Sequence, residues 1–255
     1  MIKRFKHSGT LGDIIYSLPL VKHLGGGEFY LHLNQINWVG QHYYGYPPAA
    51  FHQNSMTEQQ FQFMHSFMRA QSYITDFATL TAQQEITHNL DRFRHSFVHH
   101  PGNYVDCYAD CWGITDADTL AQMRNCAWLT VPSTVDLGTR RTVINRSARW
   151  QNPRSLSTWQ QWRHQLEHTS VFVGLREEHT AFCEFTGWSI PHWPTDTMLQ
   201  LAQVIGSADQ FIGNQSVSLS LAVGLGVDWQ CEARDDLPLS RNECYFPQHP
   251  RGNYF

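Results

Sequence analysis

Residues 2–33 read IKRFKHSGTLGDIIYSLPLVKHLGGGEFYLHL, and this stretch decides the fold. Ile2 to His7 alternate around Phe5, as a half-buried strand does. Ser8-Gly9-Thr10-Leu11-Gly12-Asp13 then turns the chain, and Ile14 to Leu24 follow with the spacing of a helix, within which Pro19 either makes a kink or marks a position near the start. Gly25-Gly26-Gly27 stops that helix, and Glu28 to Leu33 read as the next strand. Strand, loop, helix and strand in this order form the unit from which parallel sheets are built.

Outward from this unit the alternation continues. Asn34 to Ser55, rich in Tyr, Pro, Gly and His, read as a long loop with an acceptor-facing role. Thr57 to Gln71 form a helix with Phe61, Met64, Phe67 and Met68 at core spacing, Tyr73 to Leu80 a strand, and Asn103 to Trp112 and Thr115 to Cys126 two short helices. The chain becomes turn-rich over Pro132 to Gly138, which divides it into lobes of residues 1–138 and 139–255. In the second lobe strands near 141–145, at Ser170 to Gly174, around Ile190 and at Gln210 to Ile212 alternate with helices near 156–167, at Glu177 to Phe185, at Asp196 to Ser207 and at Ser216 to Leu225. The expected class is α/β with parallel sheets, and ligands are expected at the carboxyl ends of the strands.

The 255 residues carry a formal net charge of -4, which disfavours a surface that grips nucleic acid throughout. No apolar stretch reaches the roughly 20 residues of a membrane span. With no apolar run after the basic N-terminus, a cytoplasmic protein is expected. The six cysteines read as free thiols. Cys107 and Cys111 with His95, His99 and His100 have the residue types of a metal site, but buried thiols and loop histidines account for them equally, and no metal is expected.

Three segments carry chemistry. In the first loop Gly9 and Gly12 permit tight backbone geometry, and Asp13 at the helix entrance either caps the helix or takes a proton. Asn145-Arg146-Ser147-Ala148-Arg149-Trp150 follows the first strand of the second lobe and supplies two arginines and a hydroxyl for a diphosphate. It lies in a block from Arg140 to Arg163 that holds no carboxylate. Phe211-Ile212-Gly213-Asn214-Gln215-Ser216 places backbone amides at a helix N-terminus, where phosphate is favoured. No GxGxxG fingerprint occurs, which disfavours a nicotinamide enzyme. Asp116-Ala117-Asp118 reads as a helix cap rather than a metal-binding pair. Glu178 and Glu232 are weaker candidates for a ribose contact, with surface placement expected for each.

His7-Ser8-Gly9-Thr10-Leu11-Gly12-Asp13-Ile14 with Ser17-Leu18-Pro19 resembles the start of the heptosyltransferases of glycosyltransferase family nine, whose first loop reads G-x-L-G-D. Leu201-Ala202, Ala208-Asp209, Phe211-Ile212-Gly213-Asn214 and Leu221-Ala222 resemble that family's donor-binding stretch. The resemblance covers about a fifth of the chain and is nearest to shorter relatives found in phages and bacteria. It implies a GT-B-like fold of two facing Rossmann-like lobes, the first binding the acceptor and the second a nucleotide-sugar donor. It also implies an inverting transfer with Asp13 as base, flanked by Gly9, Thr10, Leu11 and Gly12. Asn145, Arg146, Ser147, Arg149, Gly213, Asn214, Gln215 and Ser216 would hold the donor, with no cofactor or metal. Gln215 stands where the family commonly has an acidic residue. Acceptors compatible with these readings are a saccharide, a lipid-linked glycan or a hydroxymethylated DNA base, and a nucleotide-sugar-binding module without catalysis is the remaining alternative.

Overall fold

A computed structural model describes residues 2–34, 56–93, 104–233 and 250–255. The loop read over Asn34 to Ser55 falls almost wholly outside the described residues, as do His95, His99 and His100.

Among the described residues the first sheet has four parallel strands in the order β3-β2-β1-β4: β1 (Arg4–His7), β2 (Gly27–Leu31), β3 (Ile74–Thr79) and β4 (His88–Asn89). Between them run α1 (Leu11–His23) and α2 (Glu58–Arg69), followed by α3 (Tyr104–Asp110) and α4 (Ala117–Asn125). The second sheet has, among the described residues, six parallel strands: β5 (Thr142–Asn145), β6 (Ser170–Val173), β7 (His192–Trp193), β8 (Gln210–Asn214), β9 (Asp228–Glu232) and β10 (Gly252–Tyr254), in the order β10-β9-β8-β5-β6-β7. Its helices are α5 (Leu156–Leu166), α6 (Arg176–Thr186), α7 (Met198–Gly206) and α8 (Val217–Leu225). The α/β class with two parallel sheets is as the sequence implies.

Alternation along the second sheet gives it two cores. Val143, Val171, Val173 and Phe211 face one way and join a cluster that also contains Phe5, Ile14, Leu18, Phe29 and Phe77 of the first lobe. Ile144, Phe172 and Ile212 face the other way onto Trp159, Phe182 and Trp188. The two lobes therefore share one hydrophobic core, joined where α1 packs on α8 and α2 on α7.

Pro19 lies well inside α1, which starts at Leu11 rather than Ile14. An interior proline forfeits a backbone hydrogen bond and costs about 3 kcal/mol. Burial offsets that cost: Ile14 to Val21 are buried without a break, because this helix is covered on several sides. The sequence reading left out β4, β9 and β10. β9 had a signal, Trp229 and Cys231 alternating with polar neighbours, while β4 and β10 are too short to show one.

Candidate functional site

In open parallel sheets, ligands sit where neighbouring strands lead away in opposite directions. The strand order places such a point between β1 and β4 in the first sheet and between β5 and β8 in the second. The two loops singled out in the sequence leave β1 and β8, and the third leaves β5.

After β1, each amide of the turn is engaged by a side chain. Ser8 N–H donates to Asp91 Oδ1 at 3.0 Å, Gly9 N–H to His7 Nδ1 at 2.7 Å and Thr10 N–H to Asp13 Oδ2 at 2.9 Å. Lys6 Nζ and Ser8 Oγ also donate to Asp91 Oδ2, at 2.5 and 2.7 Å. This loop is a rigid turn, with none of those three amides offered to a phosphate. A Cβ at Gly9 would lie 2.4 Å from His7 Cε1 and 2.6 Å from Asp13 Oδ2, so no other residue fits. Asp13 closes the capping geometry of α1 with Oδ2 and also lines the cavity described below.

On the second sheet Asn145 and Gly213 are paired in register, and a Cβ on Gly213 would lie 2.2 Å from the Asn145 carbonyl oxygen. Asn214, fully buried, accepts from Ser147 N–H at 2.9 Å and donates through Nδ2 to the carbonyls of Ser147 and Arg149. Asn145 donates to the Val173 carbonyl and accepts from Ser216 Oγ at 3.0 Å. With its hydroxyl turned to Asn145, Ser216 does not cap α8, and the first amides of that helix have no intrahelical acceptor.

The arginines separate. Arg146 is 4% exposed and forms a forked pair with Glu232, Nε to Oε2 at 2.7 Å and Nη2 to Oε1 at 3.0 Å, and its guanidinium lies 4.0 Å from the Phe185 ring centroid. Glu232, expected on the surface, is 1% exposed and also accepts from Asn152 N–H. Arg146 thus braces the lobe and does not line the cavity. Arg149 is exposed, lines the cavity and makes no ion pair among the described residues. Elsewhere in the basic block, Arg163 pairs with Glu167 and Arg141 lies 3.9 Å from Asp209, so much of its charge is met. Glu178 caps α6 through Leu175 N–H and accepts from Ala148 N–H, which ties the Ser147 loop to the next helix. Asp116 caps α4, accepting from Thr119 N–H at 2.8 Å; that bond holds its carboxyl below the ordinary range.

The loops meet at an open cavity of about 270 Å³ between the lobes. One wall is Thr10, Leu11, Gly12, Asp13 and Tyr16; the other is Ser147, Arg149, Trp150, Gln215, Ser216 and Val217. Gln215 Nε2 is buried with no hydrogen-bond partner among the described residues. Trp150, which the sequence reading did not single out, has φ 58°, a left-handed conformation rare for a bulky residue. Burial pushes the Tyr16 hydroxyl well above its usual range. Among the described residues no group of three or more His, Cys, Asp or Glu side chains is placed to hold a metal, and no helix is long and apolar enough to cross a membrane.

No family model and no curated protein sequence matches the chain. Solved structures do. A family nine glycosyl transferase from Veillonella parvula superposes with a TM-score of 0.63 at 11% identity, over 99% of this chain and 85% of that one. The E. coli ADP-heptose lps heptosyltransferase II gives 0.51 at 11% identity, over 100% and 90%. E. coli heptosyltransferase WaaC with ADP gives 0.50 at 11% identity, over 100% and 92%. The chain has the two-lobed GT-B-like fold of these enzymes.

Proposed function

We propose that the chain is an inverting glycosyltransferase that moves a sugar from a nucleotide-diphosphate donor to an acceptor hydroxyl. One observation carries this reading. A carboxylate from the first lobe and, from the second, an arginine without an ion pair among the described residues and a helix N-terminus without a side-chain cap line the same cavity. The fold of family nine glycosyltransferases supports it, and the ADP with which WaaC was solved supports a nucleoside diphosphate as leaving group.

In this reading residues 1–138 form the acceptor side and residues 139–255 the donor side. Asp13 removes the acceptor hydroxyl's proton as that oxygen bonds to the anomeric carbon, and the bond from that carbon to the diphosphate breaks on the opposite face. A single displacement inverts the centre, and a positioned base contributes about 10²- to 10⁴-fold. Negative charge gathers on the departing diphosphate, where Arg149, the first amides of α8 and Gln215 Nε2 supply donors. Ser147 and Ser216 shape the same wall. Asn145, Arg146, Gly213 and Asn214 act one layer behind, holding that wall in place. The Asp116 motif is spent on capping α4, so no step is assigned to a metal there.

Asp13→Asn tests the reading, after a thermal-shift screen of nucleotide sugars has found the donor. Donor affinity should stay within a few fold while transfer falls by at least about a hundredfold. Near-wild-type turnover in that variant would overturn the assignment. Binding without transfer is the second reading, favoured by the engagement of Asp13 Oδ2 in the cap. A wild-type chain that binds a donor and releases no diphosphate with any acceptor offered would establish it.

A further inference from the structure

Behind Asp13 runs a chain of hydrogen bonds that the proposed chemistry does not use. Gly9 N–H donates to His7 Nδ1 at 2.7 Å, His7 Nε2 lies 2.7 Å from Tyr108 Oη, and Tyr108 Oη donates to the Asp13 backbone carbonyl at 2.9 Å. The directions follow from proton counting. Nδ1 accepts from an amide, so the neutral ring carries its proton on Nε2 and gives it to the tyrosine oxygen. The tyrosine has one proton, and that one goes to the Asp13 carbonyl. A carbonyl oxygen has two lone pairs, so it can accept from Tyr108 without giving up its place in the helix.

The surroundings suit a fixed relay. His7 and Tyr108 are fully buried, and Tyr108 is stacked on Phe93 with ring centroids 4.4 Å apart. His7 is the last residue of β1 and Tyr108 sits on α3, which packs along α1. The turn carrying Asp13 is therefore tied at both ends to its own strand and to a helix about a hundred residues away. Neither side chain lines the cavity.

We propose that His7 and Tyr108 are positioning residues for Asp13, acting through its backbone rather than on substrate; the proposal rests on the reading of Asp13 as the base. Thr10 N–H steers the carboxylate and Tyr108 steers the main chain beneath it, and displacement of a catalytic group by about 1 Å is enough to cost about a hundredfold in rate.

A double-mutant cycle tests this. Tyr108→Phe keeps the stacked ring and removes the hydroxyl. His7→Asn keeps an acceptor where Nδ1 stood and cannot reach Tyr108. Each should lower kcat at least about tenfold while donor KM stays within about twofold, and the double variant should lose no more than about threefold beyond the worse single one. Singles that keep kcat within twofold, or a double variant that loses the product of the two effects, overturn the proposal. So does a kcat loss that only follows a fall in melting temperature. Should His7→Asn fail to fold, Tyr108→Phe alone decides through its kcat and KM. Hydrogen exchange at the Leu11 to Ile14 amides separates this proposal from the reading it rests on. Exchange at least about tenfold faster in Tyr108→Phe, confined to that turn, supports the relay even if the wild-type chain transfers no sugar. Unchanged exchange refutes it whatever the activity.

Discussion

Arg146 and Arg149 lie on one loop, and only Arg149 faces the cavity. On the proposed function, Arg149→Ala should weaken nucleoside diphosphate binding by about tenfold, as loss of a charged hydrogen bond does, and leave the melting temperature unchanged. Arg146→Ala should do the reverse in kind: it strands Glu232 in the interior, which costs about 3–5 kcal/mol and would be read as a large fall in denaturation midpoint. At Trp150 the left-handed backbone costs on the order of 1–2 kcal/mol, a strain that Trp150→Gly relieves while giving up the contacts of the half-buried indole. The same change removes part of the cavity wall, and donor affinity measured by calorimetry should fall. The roles of these residues were unequally legible. The sequence showed that an arginine-bearing loop follows β5, because local spacing is enough for that. It did not show which arginine is spent on structure, because the partner of Arg146 is 86 residues away and is brought near only by the β5–β8–β9 pairing.

Among the elements, α8 has no polar face: Ser218 to Gly224 are all buried. Gly224 is where it meets the segment between the lobes. Its carbonyl accepts from both Trp128 N–H and Leu129 N–H, at 3.0 and 2.9 Å, and a Cβ there would lie 2.4 Å from Leu129 Cδ1. Gly224→Ala should therefore destabilise by about 1–3 kcal/mol through overpacking, measurable by urea denaturation. The helix itself was legible in the sequence, since an apolar run after a Gly-containing loop reads as one. Its buried position was not, because a run of that kind fits a core helix of either lobe. The opening strand, turn and helix were legible for a different reason. Their apolar periods and their glycine punctuation are local, whereas β10 exists only because its three residues add to the edge of β9.

For the molecule as a whole, the shared core predicts one cooperative unfolding transition, with calorimetric and van't Hoff enthalpies agreeing. Two transitions would show that the lobes are independent. Acid should weaken the fold in a defined direction. The Arg4 guanidinium holds Glu28 below the usual carboxylate range, and Arg163 does the same for Glu167. Each contributes stability that is present above the ordinary carboxylate pKa of about 4.3 and is lost as pH falls through the depressed folded value. Glu28→Gln should flatten the acid limb of a stability–pH curve. Thiol reagents offer a further check. Burial, reinforced by Glu232, pushes the Cys231 thiol well above its usual range, so Cys231 and buried Cys107 should resist labelling until unfolding, while exposed Cys126 reacts at once.

The packing of α1 on α8 also bears on any attempt to re-engineer specificity by recombination. A two-lobed fold invites the exchange of whole halves, with the crossover placed in the turn-rich stretch near residue 138. Here that cut separates two helices whose buried faces were fitted to each other, and a foreign half would bring the wrong side chains to Ile14, Leu18, Leu219 and Leu221. Chimeras of this chain should carry α1 and α8 from the same parent and vary only the loops after β5 and β8.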